Sequence, residues 1–389
     1  SFIELLQNAD DAKATKFNII KKDNLLFVAN NGRVFNQRDL ISLCRSASSN
    51  KLRGETIGYR GIGFKSVVGF SKEIHVISGE LELTFSKNRT KLEIPKANRV
   101  PLIRIPHNLN NNDKQLITPT LNTLKSEGYS TIFVFTGVTV NEIESEFNTF
   151  EYNSLIFLRN VCETDISLTE RVSTRITKNK LSDSIIKLSF ETIENVSTWL
   201  ISVNKLSSIA FSVLDEVVTK LPEEQAIVHA FLPTEDCSGF GALVNGNFST
   251  DPSRRHIIFD KETNDSIKLC SIHMLELLES KLESYSPENF NIVNTLIPYS
   301  DPRMLQFKKN SFVKSILESL KLNGSQFFET LKLCPKWLNP KDFTILANPI
   351  EFNIINSHFY EIDGFNSFAK YLGATEITFN DFRNKINDS

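Results

Sequence analysis

The spacing of apolar residues in the first 150 positions predicts alternating helices and strands. Apolar residues recur at helical spacing over residues 1–14, and two short strands at 16–20 and 25–29 form a hairpin. We predict a helix at 37–45, a polar mobile loop at 46–55, a helix at 64–69, and strands at 73–78, 81–86 and 131–136. Pro-rich and Asn-rich loops are expected near residues 95–113.

The pattern changes after about residue 150. Short apolar runs predict strands at 155–158, 165–168, 185–190, 199–203, 227–232 and 243–245. From about residue 265 the spacing is mostly helical, at 267–285, 312–320 and 365–371. We therefore predict three domains: an α/β domain at 1–150, a second α/β domain at 151–265 and a mainly helical region at 266–389.

Composition narrows the class of protein. The chain has 389 residues, of which 40% are hydrophobic, and a net charge of −2, so it has no overall basic excess for binding nucleic acid. Its five cysteines are scattered without metal-ligand spacing, which favours reduced thiols. No apolar run approaches the length of a membrane span. We expect a cytoplasmic protein with no membrane partner.

The first candidate for chemistry is a polar stripe on the first predicted helix. Glu4, Asn8 and Asp11 are spaced i, i+4 and i+7, so they project along one face. An amide oxygen suits Mg²⁺, and a carboxylate one turn away can polarise a water for attack on a phosphate. The alternative interpretation is an ordinary solvated helix face. Because the chain opens inside this helix, we expect further residues upstream.

Two glycine-containing segments follow. Asn30-Asn31-Gly32 ends a predicted strand in a turn, and Gly58-Tyr59-Arg60-Gly61-Ile62-Gly63-Phe64-Lys65-Ser66 opens a predicted helix. Such a loop directs backbone N–H groups and the positive end of a helix dipole at an anion. The second segment departs from a P-loop because Phe64 separates Gly63 from Lys65, and it departs from the dinucleotide fingerprint in the order of its glycines.

The order and spacing of these segments resemble the ATP site of the GHKL superfamily (gyrase, heat-shock chaperone, histidine kinase, MutL). Residues 4–12 are similar to the N-box of sacsin-like and ninety-kilodalton heat-shock chaperone ATPases, and residues 58–66 to their second glycine box. Thr131 stands where the family has a nucleotide-contacting threonine, although the usual preceding Gly is Ser130 here. The resemblance implies a Bergerat two-layer α/β sandwich, then a transducer-like α/β domain and a helical C-terminal region.

The resemblance also implies roles for these residues. Glu4 would orient and deprotonate the attacking water, Asn8 would bind Mg²⁺, and Asp11 would line the pocket. The phosphates would be held by the glycine box: Gly58, Gly61, Ile62, Gly63, Phe64 and Lys65. Residues 33–57 would form a lid, and Asn30, Gly32 and Thr131 would contact the nucleotide.

This chain departs from the superfamily pattern at the residue that would bind the adenine base. The superfamily has Asp where this chain has Asn30, and that carboxylate accepts the adenine amino group. An Asn oxygen can accept one hydrogen bond without charge assistance, so we expect ATP to bind more weakly by about 1 kcal/mol.

The similarity continues into the second predicted domain, through residues 231–233, 244–248 and 253–256. In the related chaperones, a middle-domain arginine reaches the γ-phosphate when the domains close. Arg254 occupies the matching place, with Arg255 as the alternative, so we count Arg254 with Glu4 as catalytic.

These features predict a slow Mg²⁺-dependent ATPase that acts as a clamp within one chain or as a homodimer. Three uses remain open: a chaperone-like switch with a protein client, a regulatory ATPase of a microbial defence or nucleic-acid-processing system, and a binding-only ATP sensor.

Overall fold

A computed structural model of the chain describes residues 2–44, 71–96, 100–139, 141, 143, 152–169, 173–192, 196–307, 311–347 and 352–388. The predicted loop at 46–55 and helix at 64–69 lie outside these residues. The chain divides into two compact units, Ser1–Asn179 with Leu188–Ser197, and Lys180–Lys187 with Thr198–Ser389. The three-domain division stays a prediction.

The first unit is built on a mixed sheet. Its strands are β1 (Lys16–Lys22), β2 (Leu25–Asn30), β3 (Glu73–Ser78), β4 (Leu81–Ser86), β5 (Pro106–Asn108), β6 (Thr131–Thr136), β7 (Glu163–Ser167), β8 (Ser173–Lys180) and β9 (Ile185–Thr192). They run in the order β9-β8-β7-β1-β2-β6-β3-β4-β5. The β1–β7 pair is parallel, whereas β1–β2, β2–β6 and β3–β6 are antiparallel.

Four helices accompany this sheet: α1 (Phe2–Asp11), α2 (Gln37–Cys44), α3 (Lys87–Glu93) and α4 (Asn111–Ser126). Helix α4 buries Ile117, Leu121 and Leu124 in one cluster with residues 25, 27 and 29 of β2. Side chains alternate between the faces of a strand, so Asn30 at the end of β2 faces away from α4.

The strands of the second unit follow one another in the order β14-β13-β15-β11-β10, with β12 paired to β11. These strands are β10 (Val196–Asn204), β11 (Ser207–Leu214), β12 (Val217–Thr219), β13 (Ile227–Ala230), β14 (Leu232–Cys237) and β15 (Leu243–Asn245). Two small ribbons add β16 (Ser249–Thr250) with β17 (Ile257–Ile258), and β18 (Lys332–Leu333) with β19 (Thr375–Glu376).

Helices dominate the rest of the second unit: Lys261–Leu282, Pro287–Leu296, Phe312–Leu322, Gln326–Thr330, Pro340–Ala347, Phe365–Tyr371 and Phe379–Asp388. The longest, Lys261–Leu282, buries Ile267, Cys270 and Met274 in one core with Phe211 and Val244 of the sheet. Short 3₁₀ turns occur at Tyr152–Leu155, Pro302–Phe307 and Ser357–Glu361.

The structure confirms the α/β class predicted from the sequence. The strand predicted at 155–158 is wrong, because this run is the end of a 3₁₀ turn and the loop after it. The sequence did not predict helix α4, which follows the expected Pro-rich and Asn-rich loop. Within the described segments, no helix has both the length and the apolarity needed to span a bilayer.

Candidate nucleotide site

Helix α1 separates its apolar and polar residues as the sequence predicts. Phe2, Leu5, Leu6 and Ala9 are buried, whereas Glu4, Asn8 and Asp11 are half-buried. Partial exposure keeps the three polar side chains within reach of a ligand while the helix is held through its apolar residues. The arrangement fits a ligand-facing stripe.

The turn after β2 docks on the end of α1. The Asn31 Oδ1 atom accepts hydrogen bonds from the backbone amides of Thr15 and Lys16, both at 2.8 Å. The Arg33 amide donates to the Ala12 carbonyl at 2.8 Å. A Cβ atom at residue 32 would lie 2.8 Å from that carbonyl oxygen, so only glycine fits without a shift. The turn at Asn30–Gly32 therefore contacts the end of the segment at residues 4–12, so two of the three predicted motifs are in contact.

A row of buried polar residues lies next to this turn, on the sheet face opposite α4. In the strand register, Asn30 of β2 pairs with Thr131 of β6, which pairs with Ser78 of β3. Their exposed fractions are 7%, 1% and 2%. The Ser78 and Thr131 hydroxyls are hydrogen-bonded at 2.6 Å, and Ser78 Oγ accepts from the Phe35 amide at 2.9 Å. The structure thus brings Asn30 and Thr131 together.

Ser78 was not among the residues predicted for the site. Its position at the end of a strand predicted at 73–78, two strands from Asn30, was the only available signal. The order of strands in the sheet is needed to recognise that signal, and it cannot be read from one sequence.

The glycine box lies outside the described residues. Gly58, Gly61, Ile62, Gly63, Phe64 and Lys65 keep their assigned roles as predictions. The lid at residues 33–57 also stays a prediction, and the structure describes only residues 33–44 of it.

Arg254 belongs to the second unit, on a turn between β16 and β17. Its φ angle is +61°, in the left-handed region. Asp251 stabilises the turn by accepting hydrogen bonds from the Ser253 hydroxyl and the Arg255 amide, and these bonds hold the pKa of its carboxyl below the usual range. Arg255 is exposed and lies 3.4 Å from Glu235. Arg254 is therefore half-buried in this turn, whereas Arg255 is exposed.

Asp10 is a buried carboxylate that the sequence interpretation overlooked. Its two oxygens accept hydrogen bonds from the backbone amides of Arg159, Asn160 and Val161 at 3.1, 2.7 and 2.9 Å. The Asn160 side chain donates to the Asp10 carbonyl at 2.9 Å. These bonds fix the end of α1, and with it the polar stripe, to residues 159–161.

Lys178 on β8 provides a positive charge near Asp10. Its ammonium donates to the Leu158 carbonyl. Loss of hydration lowers the pKa of Lys178 to about 8, while the Asp10 charge acts in the opposite direction.

A second cluster of potential metal ligands is already neutralised. Glu73, His75 and Asp113 place one ligand atom each within 4.8 Å of one another. The Arg89 guanidinium lies 2.6 Å from Asp113 and 3.9 Å from Glu73, and His75 Nδ1 is 2.9 Å from the Thr84 hydroxyl. A cation would have to displace Arg89, so we assign this cluster a structural role.

The polar stripe carries oxygen ligands of the kind that Mg²⁺ takes. Carboxylate and amide oxygens are the ligands this ion takes, and it usually keeps several waters and uses only one or two protein groups. The half-buried Asn8, with Glu4 one turn before it, fits that requirement.

Comparison with known proteins gives distant similarities. No family model matches the chain. It is 29% identical over 294 residues to Protein NO VEIN of Arabidopsis thaliana, a match that covers 67% of this chain and 10% of that protein. The chain therefore spans about a tenth of the length of this relative.

Two solved structures are similar at low scores. One is the N-terminal domain of a DNA repair protein, with a TM-score of 0.33 and 14% identity, covering 69% of this chain and 90% of that chain. The other is the B-subunit of the DNA gyrase from Myxococcus xanthus, with a TM-score of 0.35 and 8% identity, covering 75% and 93%. Both likenesses are too distant to carry an argument about the function of this chain.

Proposed function

We propose that this chain is a Mg²⁺-dependent nucleotide-binding module of the GHKL type that hydrolyses ATP slowly. The observation that supports it best is the convergence of two predicted motifs: the Asn30–Gly32 turn packs on the end of the helix that carries Glu4, Asn8 and Asp11. Thr131, which the same family resemblance assigns to the nucleotide, pairs with Asn30 in the strand register.

Each residue has a defined task in this proposal. Glu4 orients the attacking water and removes its proton, which contributes roughly 10²–10⁴-fold to the rate in comparable reactions. Asn8 holds Mg²⁺, whose charge would neutralise the phosphates. Asn30 and Thr131 contact the base, and Asp11 lines the pocket. The glycine box donates backbone N–H groups to the phosphates.

Arg254 extends the proposal to the second unit. By the family resemblance, it supplies positive charge to the γ-phosphate, which would couple nucleotide state to a clamp within the chain or to a homodimer. Whether the protein acts on a protein client or on nucleic acid is a separate question. A filter-binding assay with DNA or RNA addresses it.

Phosphate release from Mg-ATP tests the catalytic assignment. We expect Glu4→Ala to lower the turnover rate by roughly 10²–10⁴-fold with little change in nucleotide affinity, because the carboxylate acts on the water. Glu80→Ala, which removes an exposed carboxylate from the β3–β4 turn, is the matched control and should turn over like the wild type.

Three outcomes separate the alternatives. Binding without hydrolysis in the wild type would leave a binding-only sensor. Equal turnover in wild type and Glu4→Ala would remove Glu4 from the mechanism. No binding of any purine triphosphate would refute the proposed function. In the same assay, Arg254→Ala and Arg255→Ala compare the two candidate arginines of the second unit, and wild-type turnover in both variants would remove this unit from the mechanism.

A further inference from the structure

The orientation of the Asn30 amide is determined by its own turn. Asn30 Oδ1 accepts a hydrogen bond from the Gly32 amide at 3.0 Å. Only the oxygen can accept this bond, so the nitrogen occupies the opposite branch of the amide. Among the described residues, none accepts a hydrogen bond from Asn30 Nδ2. The group left for a ligand is therefore a donor.

An aspartate in this position would offer the opposite group. One carboxylate oxygen would accept from the Gly32 amide and the other would remain as an acceptor. The two side chains have nearly the same shape, so the exchange changes hydrogen-bonding character and charge more than it changes packing.

Purine bases differ in the same property at carbon 6. Adenine carries an amino group there, which donates, whereas guanine carries a carbonyl oxygen, which accepts. Two donors that face each other leave at least one buried N–H group without an acceptor, and an unpaired buried polar group costs more than an ordinary hydrogen bond contributes. A donor on the protein therefore matches a 6-oxopurine and opposes adenine.

The neighbouring hydroxyls can adapt to either base. Ser78 Oγ already accepts from the Phe35 amide, and one of the Ser78 and Thr131 hydroxyls donates to the other. Either arrangement leaves one hydroxyl hydrogen and lone pairs of Thr131 Oγ1 for a ligand. Selectivity between the two bases therefore depends on Asn30, because the hydrogen bond from the Gly32 amide fixes the orientation of its side-chain amide.

We propose that Asn30 makes this site favour purine nucleoside triphosphates with a carbonyl at carbon 6 over ATP. This inference rests on the proposed function, because it requires the base to lie against Asn30. It refines the nucleotide and leaves the roles of Glu4 and Asn8 unchanged.

Competition binding with Mg²⁺ and three nucleotides tests the inference. We expect the wild type to bind GTP and ITP about 10- to 100-fold more tightly than ATP, the range expected for one mismatched buried hydrogen bond. ITP has the carbonyl but lacks the 2-amino group, so similar affinities for GTP and ITP assign the preference to carbon 6. Asn30→Asp should reverse the order and favour ATP.

Asn31→Asp is the matched control. It makes the same chemical change one residue later, where the side chain is bound to Thr15 and Lys16. The order of the three nucleotides should stay as in the wild type, and thermal melting of both variants checks that they fold.

The possible failures are distinguishable. If the wild type binds none of the three nucleotides, the proposed function fails. If it binds ATP as tightly as GTP and ITP, or if a folded Asn30→Asp keeps the wild-type order, this inference is overturned while the proposed function stands. If Asn30→Asp does not fold, the order of affinities in the wild type decides alone.

Discussion

The Asp10 carboxylate combines burial, charge and three main-chain hydrogen bonds. Burying a carboxylate is costly unless hydrogen bonds and opposite charges compensate for lost hydration. Hydrogen bonds to Asp10 come from the backbone amides of Arg159, Asn160 and Val161. The opposite charge comes from Lys178. Asp10 therefore belongs to the framework of the site, whereas its neighbour Asp11 belongs to the half-buried stripe.

Removing the Asp10 carboxylate should destabilise the protein strongly. Asp10→Ala leaves three amides without an acceptor and Lys178 without its nearby negative charge, so we expect a loss of about 3–5 kcal/mol in the free energy of unfolding. Chemical denaturation measures this loss. Asp11→Ala, at the next position, should cost about 1 kcal/mol or less, and equal losses for the two variants would contradict the assignment.

The sequence contained a signal for Asp10. Phe2, Leu6 and Asp10 are spaced by four residues, so Asp10 continues the apolar side of α1. A carboxylate on that side requires hydrogen-bonding partners. The partners could not be predicted, because they lie 149 to 151 residues away along the chain.

The turn of residues 31–33 and helix α1 act as one packed element. Gly32 lies so close to Ala12 that an added Cβ atom would be 2.9 Å from the Ala12 Cβ atom. The backbone must separate to accept it, because neither neighbour is a flexible side chain.

We expect Gly32→Ala to cost about 1–3 kcal/mol in stability and to weaken nucleotide binding, since it shifts the turn that carries Asn30. Urea denaturation and nucleotide titration measure the two effects. Gly128→Ala is the control: it has a φ angle of +92° with open space around it, so it should cost stability through backbone strain without affecting binding. Normal binding by Gly32→Ala would show that the close contact does not position Asn30.

Helices and strands differed in how well the sequence predicted them. Strands β3, β4 and β6 occur at the predicted residues, because each is a short apolar run bounded by turn residues. Helix α4 was missed because Pro119 lies inside it. The burial of Ile117, Leu121 and Leu124 against the sheet outweighs the cost of this proline.

At residues 155–158 the sequence predicted a strand that does not occur. The four apolar residues of this segment are all buried, but they form the last residue of a 3₁₀ turn and the loop after it instead of a strand. Periodicity alone cannot distinguish a buried strand from another buried segment of this length. For the same reason the polar stripe was predictable, since helical spacing defines it, whereas the Asn30–Thr131–Ser78 row depends on long-range strand pairing.

Acid stability is a global property to which two buried imidazoles in the second unit contribute. Burial lowers the pKa of His273 to about 4 and that of His229 to about 3. The rings of the unfolded chain titrate near 6.5. Between these values the unfolded chain binds more protons than the folded chain, so stability rises with pH there and is lost as pH falls from about 6.5 to about 4.

We expect His273 alone to account for roughly 3 kcal/mol of this loss. Its two ring nitrogens are hydrogen-bonded to Ser202 and Ser207 at 2.9 and 2.8 Å. His273→Gln keeps hydrogen-bonding capacity but cannot titrate, so its unfolding free energy should change less between pH 7 and pH 4.5. Identical slopes for the wild type and this variant would contradict the assignment.

The distance along the chain between Asp10 and Asn160 has a consequence for synthesis on the ribosome. Helix α1 is made before its partner: the Asn160 amide that binds the Asp10 carboxylate lies 150 residues later along the chain. Strand β1 likewise waits for β7, which pairs Lys16 with Glu163. The end of α1 and strand β1 therefore lack these partners until residues 159–167 have left the exit tunnel.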